Sequence, residues 1–174
     1  LDVRPADNLS TGGAGPVYNH LPTPGGARTA LSWTPDGQSL VFIGQRAGVP
    51  QLHVRRLDAT EARPIPGSEG AQLLAVSPDG QWLAFWAGGV IRKVPLGGGP
   101  VTNLVPDVSI LPSGLAWDAS GGLYFDRNDG RIWRLRPGEA PQAVTTLRAT
   151  ETMHVLPSLM PNGRMLLYTV RKRR

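Results

Sequence analysis

Side chains able to do chemistry are few in this chain, and their spacing is poor for any shared site. Its three histidines, His20, His53 and His154, could bind a metal or carry protons, but no pair has metal-site spacing, such as two histidines four apart on a helix. His53 lies in a segment that alternates with period two and reads as a strand residue. Ser10 and Ser32 lack the Gly-x-Ser-x-Gly elbow that exposes a nucleophile. Asp126-Arg127-Asn128-Asp129-Gly130 is rich in oxygen, like a calcium loop, yet it lacks the alternating spacing and the distant Glu; it reads as a hairpin turn. Gly97-Gly98-Gly99 could cradle a phosphate only ahead of a helix, and none follows, so it also reads as a hairpin. Asp36 and Asp79 could form a glycosidase pair only by facing each other across a cleft, whereas they fall at equivalent points of a repeat. The absence of cysteine excludes thiolate catalysis, Cys-ligated zinc and iron–sulfur clusters. No catalytic residue, metal or cofactor is expected.

The elements that must position the remaining groups follow from composition. Of 174 residues, 22 are Gly and 17 Pro. That share is below the ~25–30% that marks low-complexity disorder, yet it leaves no room for a helical bundle. The longest Gly/Pro-free stretch, Gln142 to Leu156, holds Thr145, Thr146, Thr150 and Thr152 and is a poor helix. The longest apolar run, Trp82 to Ala87, has six residues against the ~18 that a membrane helix requires. A chain of this length can bury about 70% of its unfolded surface and needs no disulfide or metal staple. The net charge of +5 is mostly the terminal run Arg171, Lys172, Arg173 and Arg174; removing that +4 leaves +1, so the basicity reads as a solvated end and not as a nucleic-acid surface. From Leu1 onward there is no charged or apolar leader, so a native start carrying a signal peptide is not expected there.

A repeat organises the chain. Thr34-Pro35-Asp36-Gly37 recurs as Ser77-Pro78-Asp79-Gly80, more loosely as Asp118-Ala119-Ser120-Gly121, and again as Met160-Pro161-Asn162-Gly163. The glycines are 43, 41 and 42 residues apart, and an aromatic after each turn (Phe42, Phe85, Phe125, Tyr168) recurs at 43, 40 and 43. The third unit therefore lacks one residue just after its turn. Pro presets φ, Asp or Asn bonds nearby amides, and Gly takes the positive φ that closes the reversal. Further strand pairs follow in each unit: Gln51–Leu57 with Arg63–Ile65, Val90–Leu96 with Val101–Val105, and Arg131–Leu135 with Gln142–Leu147. Four antiparallel strands every ~42 residues is the period of a β-propeller blade. The expected fold is all-β: three complete blades and a partial fourth. The divisions are an N-terminal segment over 1–28, blades over 29–70, 71–112 and 113–154, and a partial blade with the basic tail over 155–174. Trp33 and Trp117, at the same repeat position, are expected in the core between blades.

The strand–Ser-Pro-Asp-Gly-Gln–strand unit resembles the TolB-type propeller repeat, a relative of WD repeats. The run from Gln51 through Glu61–Ala71 to Ser77–Trp82 is similar to the propeller region that follows the kinase domain and membrane span of many bacterial receptor-type serine/threonine kinases. The resemblance covers roughly 29–170, departs where Ala119 and Ser120 replace Pro-Asp, and includes no kinase motif. It implies a bacterial, non-catalytic sensor or binding module in a periplasmic or other extracytoplasmic setting. Three full blades and half a fourth would leave open sheet edges. The chain is expected to be a fragment of a six- to eight-bladed ring, or failing that a homodimer; a third route is a small four-bladed ring closed by Leu1-Asp2-Val3-Arg4.

Propeller geometry puts the fourth-to-first-strand connections and the second-to-third-strand loops on one face. That face would display Arg46, Glu69, Asp107, Arg127, Asp129, Arg148, Glu151 and His154, a mixed-charge surface suited to a protein or peptide ligand. The expected function is a non-enzymatic binding or sensor module; the alternative is a propeller that gates or scaffolds a serine hydrolase or peptidase carried elsewhere on a longer parent.

Overall fold

The computed structural model describes residues 31–160 and 165–173. The expected segment 1–28 with its closing strand Leu1–Arg4, and the turn residues Pro161, Asn162 and Gly163, lie outside them, as do Ser10 and His20. Among the described residues there are strands and no helix. The first sheet holds β1 (Leu31–Trp33), β2 (Ser39–Arg46), β3 (Val49–Arg56) and β4 (Arg63–Pro64). The second holds β5 (Leu73–Val76), β6 (Trp82–Ala87), β7 (Val90–Pro95) and β8 (Thr102–Val105). The third holds β9 (Leu115–Trp117), β10 (Leu123–Asp126), β11 (Ile132–Leu135) and β12 (Gln142–Ala143). A hairpin of β13 (Glu151–Leu159) and β14 (Leu166–Lys172) follows, and β13 lies against β9 and β10. Each four-stranded sheet is an antiparallel meander in chain order, as a propeller blade is.

Stacking of blades explains the sequence of their inner strands. Along β6, Leu83, Phe85 and Ala87 enter a core shared with Val41, Ile43, Leu52 and Val54 of the first blade. Ala84 and Trp86 enter a second core with Leu123 and Phe125 of the third. A strand covered on both faces has no need to alternate, which is why Trp82–Ala87 is a continuous apolar run. Full burial of a side chain such as Phe85 stabilises by about 2–3 kcal/mol.

The repeated turns share one chemistry. In the first, Thr34 Oγ1 donates to Asp36 Oδ1 (2.5 Å), which also accepts from the Gln38 amide (3.0 Å), while Gly37 N donates to Thr34 O (2.8 Å) at φ 67°. Ser77, Asp79, Gln81 and Gly80 repeat these bonds. In the third turn the ends are exchanged. Asp118 takes the hydroxyl's place, and Ser120 Oγ donates to it (2.7 Å), as do the amides of Ser120 and Gly122 (2.9 and 2.8 Å). The loss of Pro-Asp therefore leaves the hydroxyl–carboxylate pair intact.

Two expectations are corrected. The outer strand read as Gln142–Leu147 stops at Ala143. Val144 N still donates to Ile132 O (2.8 Å), but the Ile132 amide bonds the Thr145 hydroxyl (2.9 Å) instead of a backbone carbonyl, which ends the ladder. Trp33 is 48% exposed, not in an inter-blade core. Its repeat partner Trp117 packs on the second blade and donates to Ala75 O (3.3 Å), 42 residues earlier; no described blade precedes Trp33.

Candidate functional site

The groups with free chemistry gather around the hairpin between β10 and β11, built as a turn: Gly130 N donates to Arg127 O (3.0 Å) and Arg127 N to Arg131 O (3.2 Å). Asp129 is its organiser. Its carboxylate accepts from the Arg131 amide (3.0 Å), from Arg131 Nε (2.9 Å) and from Trp133 Nε1 (3.1 Å to either oxygen), and it pairs with Arg131 Nη2 (2.7 Å). Burial pushes its pKa up, but these bonds together outweigh that and hold it below the ordinary value. The indole of Trp133 is thereby fixed, with the Arg127 guanidinium carbon 4.9 Å from its ring centroid and that of Arg131 5.3 Å away.

The connection from β8 to β9 supplies the opposite wall. Arg127 Nη2 donates to the carbonyl oxygen of Asp107 (3.4 Å), and Asn128 Nδ2 donates to Ser109 Oγ (2.8 Å). Asp107 holds a φ of 58°, a left-handed conformation that Asp tolerates better than most residues. Asp107, Arg127, Asn128, Asp129 and Trp133 line a shallow depression of about 280 Å³. Among the described residues, no carboxylate pairs with Arg127 and no cation pairs with the Asp107 carboxylate.

Of the other expected loop residues, Glu151, His154 and Glu69 have structural duties. Glu151 accepts from the Arg148 amide (2.8 Å) and contacts His154 Nε2 at 3.1 Å; the Arg148 amide, ahead of the histidine, holds its pKa low. His154 is 2% exposed and packs on Tyr168 with ring centroids 4.7 Å apart, so the face does not display it. Its amide donates to Gly130 O (2.7 Å), which docks β13 onto the same hairpin; a Cβ at Gly130 would stand 2.6 Å from Thr152 O. Glu69 lies apart, accepting from Gln51 Nε2 (2.7 Å) and the Gly67 amide (3.3 Å). Arg46 ends β2, and its side chain is outside the described set. The structure thus unites Asp107, Arg127 and Asp129 and adds Trp133, Asn128 and Ser109, which the loop-by-loop reading missed. Trp133 pairs with Phe125 across β10 and β11, as Arg92 pairs with Phe85 and His53 with Phe42. A tryptophan at that strand position beside a charged hairpin was the available signal.

A second depression, of about 230 Å³, opens on the opposite face between the second and third blades. Pro78, Trp82, Lys93, Trp117, Asp118 and Pro137 line it, with the Lys93 ammonium 4.4 Å from the Trp82 ring centroid. Asp118 is already engaged by Arg134. Among the described residues, no three His, Cys, Asp or Glu side chains gather in a way that could hold a metal ion, and no helix is long and apolar enough to cross a membrane.

Blades of this order and register define a TolB-like β-propeller fold. The chain is similar to TolB from Acinetobacter baumannii, at 19% identity and a TM-score of 0.72, over 82% of this chain and 37% of that one. It is also similar to a chain of the nidogen/laminin complex (19% identity, TM-score 0.62, 80% of this chain and 54% of that one). A third likeness is to oligogalacturonate lyase in complex with manganese (16%, TM-score 0.65, 83% and 46%). Identities this low show the fold alone, and the chain spans roughly a third to a half of these structures' length. No protein-family model matches the sequence, and no curated protein does.

Proposed function

We propose that the chain is a non-enzymatic binding module that presents the face of its β10–β11 hairpin to a protein partner. The depression of Asp107, Arg127, Asn128, Asp129 and Trp133 carries this reading. It offers an anchored indole, and a guanidinium and a carboxylate that are unpaired among the described residues, on loops held by a rigid sheet stack, the mixture from which protein-recognition surfaces are made. The non-enzymatic part rests on how the acidic groups are used: Asp36, Asp79 and Asp118 are engaged in their turns, and Glu151 in bonds to Arg148 and His154. Of the similar structures, one is a complex of two proteins, which accords with a binding role, whereas another is a lyase, which does not. The narrower reading, a sensor in an extracytoplasmic setting, rests on the likeness of the Gln51–Trp82 run to receptor-kinase propellers. The second reading keeps the same face and gives it a hydrolase domain on a longer parent as partner.

Site-specific photo-crosslinking tests this. A crosslinking residue at Asn128, on the hairpin face, is expected to trap a discrete protein from a bacterial envelope fraction, with the adduct abolished by excess unmodified chain. The same residue at Ala119, on the opposite face, is expected to trap none. Adducts that form only from Ala119, or equally from both, contradict the proposal; a hydrolase in the adduct selects the second reading.

A further inference from the structure

Resting on that reading, we infer that the depression is a subsite for an acidic side chain of a peptide, with Arg127 as the group that takes its carboxylate. Two charges meet there without neutralising each other. Arg131 is satisfied by Asp129, but among the described residues the Arg127 side chain makes one long hydrogen bond (3.4 Å), to a backbone oxygen, and otherwise lies over the Trp133 indole. A guanidinium positioned by an aromatic ring keeps its planar fork available, and a carboxylate is the ligand that fills such a fork with two parallel bonds. Trp133 is itself held by Asp129, so the platform exists before a ligand arrives and less ordering is lost on binding.

The opposite wall decides which kind of acid fits. Asp107 brings to the same depression a carboxylate that is unpaired among the described residues, whereas the Asp129 carboxylate there is held by Arg131. A uniformly acidic chain, such as a polyuronate, would place its next charge against Asp107. A peptide can set an acidic side chain beside a lysine, so that Arg127 takes the acid and Asp107 the ammonium; the Asn128 amide lines the same depression from the hairpin side. Charge complementarity therefore favours a peptide of mixed sign over an acidic oligosaccharide.

The test is an NMR titration of the isotope-labelled chain with three probes: N-acetyl-Glu-Lys-amide, N-acetyl-Gln-Lys-amide and digalacturonate. The Glu-Lys probe is expected to shift the Arg127 side-chain and Trp133 indole N–H signals saturably. The Gln-Lys probe should bind about tenfold more weakly, since it loses a charge-assisted pair. Arg127→Ala and Arg127→Lys should both lose the response, and Asp107→Asn should weaken it; the two milder changes keep the test valid if the alanine variant folds poorly. Unchanged binding in Arg127→Ala, shifts confined to Arg148–His154, or no shift at saturating probe would overturn the carboxylate subsite and leave the hairpin face to the crosslinking result. Shifts confined to Trp82 and Trp117 would overturn both. Tighter binding of digalacturonate at Arg127 would overturn the choice of a peptide.

Discussion

Asp126 shows how much one residue's surroundings decide. Its neighbours in the repeat, Ile43 and Trp86, are apolar and point toward the following blade, and Asp126 occupies their place as a buried carboxyl. The Ser113 amide (2.8 Å) and hydroxyl (2.7 Å) bind it, and the same hydroxyl accepts from the Leu156 amide of β13 (2.6 Å), so a polar clamp joins the third blade to the hairpin beyond it. Burial outweighs these bonds and raises its pKa, whereas the bond from Ser77 lowers that of Asp79. The signs differ accordingly. A lowered carboxyl contributes stability that is fully present above the ordinary value and lost as the pH falls from there through the lower, folded one. A raised one binds its proton more tightly in the folded chain, so stability declines as the pH climbs from the ordinary value to the folded one. Denaturant midpoints across a pH series should show Asp126→Asn gaining on the parent chain as pH rises above the ordinary carboxylate range. A difference that does not vary with pH would contradict this account of Asp126.

At the scale of the element, the turns and inner strands were legible because their causes are local: Pro, Asp and Gly at fixed phase, then an apolar run ending in an aromatic. The outer strands were less so. In the first blade the Leu52 amide bonds the buried Ser68 hydroxyl (3.0 Å), as the Ile132 amide bonds Thr145 in the third. A hydroxyl that replaces a carbonyl shortens a strand, and nothing in composition marks which serine or threonine will do it. Ser68→Ala leaves the buried Leu52 amide without its acceptor, while the Ile65 carbonyl keeps Gln51 Nε2 (3.2 Å), and should cost about 1–3 kcal/mol in equilibrium unfolding. Ser109→Ala, at an exposed contact to Asn128, should cost within about 0.5 kcal/mol. Equal costs at the two positions would mean the buried hydroxyl is not an acceptor that the strand requires.

For the molecule as a whole, the repeat set the expectation of which loops share a face, and the structure joins the loops of Asp107 and Arg127–Asp129. The repeat could not predict which charges on the face would be free. That depends on how each side chain is engaged once the loops fold: Glu151 by His154 three residues on, Asp129 by Trp133 four on, and Asp107 by Arg127 across twenty. The burial of His154 and the exposure of Trp33 are likewise set by what packs beside each blade and not by their own segments. On the proposed function the hairpin face, and not the turn face, meets the partner. Hydrogen exchange of the chain, free and bound to the protein trapped through position 128, distinguishes the two faces. Protection is expected at the amides of Asp107–Ser109 and Arg127–Arg131, with Ser77–Trp82 and Trp117–Gly122 unchanged; protection confined to the latter two segments would contradict it.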